Sequence, residues 1–62
     1  MIRRLRKGRK LTQTQLAKRA RVTQGYVARL ESEAALNPSL PTLRRLAKAL
    51  GVKVTELLEE AR

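Results

Sequence analysis

The stretch TQTQLAKRARVTQGYVARLE, residues 12–31, carries two short helical patterns with a few residues between them. Thr12 followed three residues later by Gln15 forms a capping box, which marks the first turn of a helix. Thr23 is a second candidate for a helix N-cap, because its hydroxyl oxygen can accept a hydrogen bond from a free amide. The inner faces of the two helices are formed by Leu16, Ala17, Ala20, Val27 and Leu30. The pattern predicts two helices joined by a tight turn, the second of them running to about Ser32.

The apolar faces of these two helices can close over each other if the helix axes cross steeply, with the small Ala17 at the crossing. Val22, in the turn, belongs to the same apolar set. The opposite edge of the second helix then faces outward at the helix start. That outward edge consists of Gln24, Gly25, Ala28 and Arg29.

Apolar spacing predicts one helix before this pair and two after it. Ile2 and Leu5 mark a short first helix that ends near Gly8 to Lys10. Ser39 is the predicted N-cap of a fourth helix with Pro41 in its first turn, where a missing amide does no harm, and the glycine at 51 ends that helix. The inner face of the fourth helix repeats at helical spacing through Leu43, Leu46, Ala47 and Leu50.

The last predicted helix is short. It begins at Thr55 and is expected to turn Leu57 and Leu58 inward. Residues 32–39 are interpreted as a loop, because a residue before proline avoids helical backbone angles. Alternatively, part of this segment prolongs the third helix through Ala35. Together the patterns predict an all-α fold, a compact bundle of five short helices that forms one domain over residues 1–62.

Charge is distributed unevenly along the chain of 62 residues, whose formal net charge is +10 at pH 7. Residues 1–29 hold ten basic residues and no acidic one, whereas residues 30–62 hold five of each. This asymmetry predicts one electropositive face and a polyanionic partner. The absence of cysteine fits a reducing cytoplasm, and the apolar runs are too short for a transmembrane helix.

The side chains that usually perform catalysis or hold metals are missing. The chain has no His, Cys or Asp, which excludes the usual catalytic triads, an imidazole base and the common metal-binding clusters. The glutamates at 56, 59 and 60 are interpreted as a solvated helix face. We therefore expect no enzymatic activity, no cofactor and no metal site.

Nearly the whole chain resembles the Cro and lambda-repressor type of helix-turn-helix domain, the XRE family. The resemblance runs from IRRLRKGRKLTQTQLAKRA through VTQGYVARLE to NPSLPTLRRLAKALGVKVTELL. It implies a lambda-repressor-like DNA-binding fold. Two positions depart from the family pattern. Arg21 stands where the family usually has a glycine with positive φ, and Glu33 stands where the family favours a glycine after the third helix.

The resemblance implies that the outward edge of the third helix faces DNA bases. Gln24 can pair with the N6 and N7 atoms of adenine, and Arg29 with the O6 and N7 atoms of guanine. The methyl group of Ala28 can contact a thymine methyl group, and Gly25 allows the backbone to approach the duplex closely. The alternative for Gln24 and Arg29 is an ordinary solvated helix face.

Five other residues are candidates for contacts with DNA phosphates. The resemblance implies this role for Gln13, Thr23 and Tyr26, and Gln13 also lies at a helix start, where free amides favour an anion. Arg21 can reach a phosphate from the turn, and Ser39 stands at a second helix start. Alternatives remain open for three of these residues. Gln13 can be a solvated polar residue, Tyr26 can pack against the loop, and Ser39 can serve only as an N-cap.

The resemblance also implies a structural ion pair between Arg6 and Glu31, which would tie the first helix to the third. An arginine and a carboxylate can pair in a bidentate geometry, so loss of Arg6 should lower stability. The apolar residues of the last segment are a candidate dimer surface, or they complete the core of the monomer. They are Val52, Val54, Leu57 and Leu58.

Taken together, the resemblance implies a sequence-specific, repressor-like regulator of transcription. It would read the major groove of double-stranded DNA with its third helix, as a homodimer on half-sites about 34 Å apart. The alternative is an antitoxin or a small protein-interaction module of the same fold, because a fold alone does not fix a function. Membrane and RNA binding are disfavoured, and no small-molecule effector is expected. The expected location is the cytoplasm, on the nucleoid when the protein is bound to DNA.

Overall fold

A computed structural model describes residues 2–32 and 38–60, which form five helices and no strand within these ranges. The predicted all-helical fold is therefore confirmed, whereas the alternatives for residues 33–37 lie outside the described residues. Each helix is too short and too polar to span a membrane. The helices are α1 (Arg3–Gly8), α2 (Gln13–Ala20), α3 (Gln24–Ser32), α4 (Leu40–Leu50) and α5 (Val54–Glu60).

The capping box at the start of α2 forms as predicted. The Gln15 amide donates a hydrogen bond to the Thr12 hydroxyl oxygen over 3.0 Å, and the Thr12 amide donates one to Oε1 of Gln15 over 2.9 Å. These reciprocal bonds satisfy two amides that a helix start would otherwise leave unpaired. They fix where α2 begins, and therefore place Gln13 in its first turn.

The turn between α2 and α3 consists of three residues. Arg21 adopts the left-handed conformation with φ 59°, and the following Val22 amide donates to the Ala17 carbonyl over 3.0 Å. Thr23 then caps α3, because its hydroxyl oxygen accepts a hydrogen bond from the Tyr26 amide over 3.1 Å. The turn thus ends one helix and begins the next without an intervening loop, which holds α3 at a fixed angle to α2.

Helix α4 has the predicted boundaries. Ser39 accepts a hydrogen bond from the Thr42 amide over 3.4 Å, Pro41 lies in the first turn, and Gly51 ends the helix with φ 70°. Helix α2 packs against both α3 and α4, and α5 packs against α4. The apolar core draws on α2 to α5 and on the residues that flank α1, with Leu5 of α1 partly buried against it. The core consists of Ile2, Leu11, Leu16, Ala17, Ala20, Val27, Leu30, Leu43, Leu46, Ala47, Leu50 and Leu57.

Helix α5 differs from the prediction in two respects. It begins at Val54 rather than at Thr55, and only one of its two leucines faces inward. Leu57 is fully buried, whereas Leu58 is 45% exposed, so the prediction that Leu58 faces inward is wrong. Adjacent residues on a helix point about 100° apart, and α5 packs on α4 with the side that carries Leu57, which leaves Leu58 at the edge of the contact.

Candidate nucleic-acid interface

Helix α3 has a buried apolar edge and an exposed polar edge. Val27 and Leu30 are buried in the core. On the other side, Gln24, Gly25 and Arg29 are exposed, and Ala28 is partly exposed. The four residues predicted to face bases therefore share the accessible side of one helix. A Cβ atom built on Gly25 would meet no heavy atom within 4 Å, so open space surrounds the backbone at this position.

A hydrogen-bonded chain of side chains runs from this exposed edge into the protein. Nε2 of Gln24 donates to Oε1 of Gln13 over 2.7 Å, and Nε2 of Gln13 donates to Oε1 of Glu31 over 3.1 Å. Sequence reasoning treated Gln13 and Gln24 as separate contacts. The signal that could have joined them is that each glutamine is the first residue of its helix and directly follows a threonine N-cap.

The chain of hydrogen bonds ends in an ion pair. Nε of Arg6 lies 2.6 Å from Oε2 of Glu31, and a second guanidinium nitrogen of Arg6 donates to Oε1 over 3.1 Å. Arg6 also donates to the Leu11 carbonyl over 2.6 Å, which joins the loop after α1 to the same pair. Arg6 is only 9% exposed, and the side chain of Glu31 is 1% exposed. Arg3 adds an outer contact, with its Nε 3.4 Å from Oε1 of Glu31.

Burial and pairing act in opposite directions on Glu31. Burial alone would raise the pKa of the Glu31 carboxyl, because it disfavours the charged form. The hydrogen bonds from Arg6, Gln13 and Arg3, together with the charge of Arg6, outweigh burial, so the pKa of Glu31 lies below its ordinary value. The hydrogen bond to Glu31 likewise raises the pKa of Arg6 against the effect of its own burial. Both residues are therefore charged at neutral pH.

The predicted phosphate contacts occupy different environments. Thr23 and Arg21 are exposed in the α2–α3 turn. The Ser39 side chain is exposed and caps α4, and it also lies 2.9 Å from the Thr42 hydroxyl. Tyr26 is half-buried, and its ring packs against the apolar core. A capping role for Ser39 and a packing role for Tyr26 are thus already present in the protein without a ligand.

Two arginines that sequence reasoning assigned no individual role hold helix ends in place. Nε of Arg45 donates to the Ala20 carbonyl at the end of α2 over 3.1 Å. A guanidinium nitrogen of Arg9 donates to the Gly51 carbonyl at the end of α4 over 3.1 Å. The partners are 25 and 42 residues apart in sequence. No local sequence pattern predicts such contacts, because they depend on how the helices cross.

The four residues of the candidate dimer surface divide between the core and the surface. Leu57 is fully buried, and Val52 and Val54 are partly buried against the core. Only Leu58 is well exposed. Leu40, in the first turn of α4, is 50% exposed and was not predicted as a surface residue. Of the two alternatives for this segment, Leu57 fits the first, because it completes the core of the monomer. Leu58 fits the second, because it is exposed and accessible to a partner.

Comparison with known proteins agrees with this geometry. Residues 2–57 match a protein family described as Helix-turn-helix. The chain is 46% identical over 59 residues to the immunity repressor protein of Bacillus phage phi105, a match that covers 95% of this chain and 40% of that protein. The chain thus spans less than half the length of this relative. No solved structure gives a significant match. The chain belongs to the helix-turn-helix family of the Cro and lambda-repressor type.

Proposed function

We propose that this chain is the sequence-specific, double-stranded DNA-binding unit of a transcriptional repressor. The observation that carries the proposal is the exposed edge of α3, where Gln24 is held by Gln13 while Val27 and Leu30 anchor the helix in the core. The match to a phage immunity repressor supports repression as the outcome of binding. The net charge of +10 supports a polyanionic partner.

Base recognition is assigned to the exposed edge of α3. Gln24 donates one N–H to Gln13, which leaves its carbonyl oxygen and second N–H for the N6 and N7 atoms of an adenine. Arg29 is assigned to guanine, and the Ala28 methyl group to a thymine methyl group. Gly25 is the point of closest approach between the α3 backbone and the bases, because no side chain fills the space around it.

Phosphate contacts are assigned to the residues around this edge. Gln13 lies in the first turn of α2, where its side chain and the free amides of the helix start attract an anion. Thr23 and Arg21 are exposed in the adjoining turn and can contact the same backbone. Ser39 and the hydroxyl of Tyr26 are assigned to more distant phosphates. These contacts set the register of the protein on the duplex and carry no base preference themselves.

A homodimer is the proposed binding unit, because each chain offers one recognition helix. Two copies would place two α3 helices in successive major grooves, about 34 Å apart. Leu58, together with the accessible parts of Val52 and Val54, is the proposed contact surface between the copies. Leu57 takes no part in this surface because it is fully buried within its own chain.

Selection of bound duplexes from a random pool tests the assignment of the recognition edge. The unmodified chain should select a defined half-site, and Gln24→Ala and Arg29→Ala should each relax the preference at one base pair by about 1 to 3 kcal/mol. Arg44→Ala, which removes an exposed arginine of α4, is the matched control and should keep the selected sequence. An unchanged preference in both α3 variants would refute the assignment.

A further inference from the structure

A pocket lies at the end of α2 that is remote from Gln13. It is an open pocket of about 510 Å³, lined by Arg19, Arg21, Arg45, Lys48 and Ala49. Four of these five residues are cationic, and no carboxylate is among the described residues that line the pocket. The seven steps from Gln13 to the end of α2 span about 10 Å at 1.5 Å per residue, so the pocket lies at the opposite end of α2 from Gln13. Arg21 is the one lining residue that the proposed function also assigns to a DNA phosphate.

The fold holds one of the pocket arginines in place. The guanidinium of Arg45 is fixed by its hydrogen bond to the Ala20 carbonyl and by a second one to the Thr42 hydroxyl over 3.3 Å. Arg21 ends α2 with φ 59°, which places its backbone beside the same pocket. Neither bond of Arg45 is made to an anion, so its positive charge has no carboxylate partner among the described residues. A cation held in this way loses less entropy when it binds an anion.

We propose that this pocket binds a small multivalent oxyanion of the oligophosphate class. Arginine guanidinium groups bind phosphate in a planar, bidentate geometry, and three arginines with one lysine can neutralise several phosphate charges at once. The volume falls within the range of about 300 to 1,000 Å³ that is usual for small-ligand sites. The proposal goes beyond the sequence-based expectation, which named no small-molecule effector, and it does not rest on the proposed function.

Titration of the full chain with sodium tripolyphosphate at constant ionic strength tests this site. The chemical shifts of backbone amides should change with ligand concentration along a single-site saturation curve. The largest changes should occur at Arg19–Arg21 and Lys48–Ala49, and those along α3 should be small. Titration with ATP distinguishes two possible ligands that carry the same oligophosphate group, a free oligophosphate and a nucleotide. Equal affinity indicates a site for free oligophosphate, and tighter binding indicates a nucleotide; both results support the site.

Single-charge variants separate the pocket from general attraction to a cationic protein. Lys48→Gln and Arg19→Gln each remove one exposed lining charge and should weaken tripolyphosphate binding about three- to fivefold. Arg44→Gln removes the same charge from α4 outside the pocket and should leave the affinity within about twofold. Arg45 is left intact because it also holds the end of α2. Thermal melting of each variant checks that the fold is retained.

Three outcomes would overturn the proposal. The first is a set of shifts that grow without saturation. The second is an equal loss of affinity in Arg44→Gln and Lys48→Gln, which indicates diffuse charge attraction. The third is a Lys48→Gln variant that keeps tripolyphosphate affinity but loses affinity for duplex DNA, which assigns the pocket to the DNA backbone. The base preference of Gln24→Ala tests the proposed function alone, because Gln24 does not line the pocket.

Discussion

The α2–turn–α3 unit and the α4–turn–α5 unit are built on the same local pattern. LAKRARV at 16–22 and LAKALGV at 46–52 share the leucine, alanine, lysine and final valine at equal spacing. In each unit the valine amide donates to the alanine carbonyl over 3.0 Å, and the residue before the valine has positive φ. That residue is Gly51 in the second unit and Arg21 in the first. One turn geometry is therefore reached both with a glycine and with an arginine.

The units differ most in the helix that comes after the turn. Thr23 caps α3, whose outward edge is polar and includes Gln24 and Arg29. In the second unit α5 comes after Lys53 and exposes Leu58. The same scaffold therefore presents polar groups in one copy and an apolar residue in the other. The two units therefore share a turn geometry and differ in the side chains that the second helix exposes.

Loss of the ion pair should have the largest effect, because it joins α1 to the first unit through nearly buried side chains, whereas the bond of Arg9 to the second unit is exposed. Arg6→Ala leaves the Glu31 carboxylate buried without its main partner and should lower the free energy of unfolding by about 3 kcal/mol. Thermal unfolding followed by circular dichroism should show a midpoint lower by more than about 10 °C. The matched variant is Arg9→Ala, which removes an exposed bond to the second unit and should cost less than about 1 kcal/mol. Equal midpoints for Arg6→Ala and the parent would contradict the larger contribution assigned to the Arg6–Glu31 pair.

Acid should weaken the first unit through the same pair. Because the pKa of Glu31 is lowered from its ordinary 4.5, the unfolded chain takes up this proton more readily than the folded protein. The stabilising contribution of Glu31 is therefore complete above the unfolded-state pKa and is lost as the pH falls through the folded-state pKa. Chemical denaturation between neutral pH and pH values below 4.5 measures this loss. Glu31→Gln should remove this part of the pH dependence, whereas Glu59→Gln, on an exposed residue of α5, should keep it.

Exchange of the turn residues should act with opposite signs in the two units. Gly51→Ala places a side chain at φ 70° and should destabilise the fold by about 1 to 2 kcal/mol. The new Cβ would lie 3.5 Å from Arg9, an ordinary contact, so backbone strain is the main cost. Arg21→Gly relieves the same strain and should stabilise the fold by about 0.5 kcal/mol. Urea denaturation of both variants measures the difference, and a destabilised Arg21→Gly would show that the arginine side chain itself holds the turn.

The smallest effect on stability is expected at Gly25, where a substitution should change stability and DNA affinity in opposite directions. Gly25→Ala adds a methyl group in open space and improves helix propensity, so stability should rise by about 0.5 kcal/mol. Affinity for the selected duplex should fall, because the methyl group occupies the space assigned to DNA. Fluorescence anisotropy with that duplex measures the affinity. An unchanged affinity would remove Gly25 from the proposed contact surface.

The sequence predicted those parts of the fold that depend on local rules. The capping box at Thr12 and the N-caps at Thr23 and Ser39 each depend on a few adjacent residues, and each has the predicted geometry. The left-handed position of Arg21 was expected from the family resemblance and is also present. Apolar spacing predicted the buried face of α4 for the same reason. At the end of α1 the prediction was less specific, because the left-handed residue is Lys10, two positions after the glycine that ends the helix.

The remaining features depend on how the helices pack, and no local pattern encodes them. Periodicity alone could not distinguish Leu57 from its neighbour Leu58, because both are apolar and only the position of α4 decides which one is buried. The bond between Gln13 and Gln24 and the bond between Arg45 and the Ala20 carbonyl arise where two helices meet. At the candidate interface, the sequence therefore predicted which residues are exposed but not the hydrogen bonds through which Gln13 joins Gln24 to Glu31.

The contact between the two glutamines limits how far recognition can be transferred. The Gln24 amide is held by Gln13 on another helix, so under the proposed assignment the base preference would depend on two helices jointly. Grafting residues 24–32 onto an unrelated scaffold would transfer the α3 side chains without Gln13, the residue that orients the side chain of Gln24. A chimera should recover the parental specificity only when a glutamine is installed at the position equivalent to 13 as well.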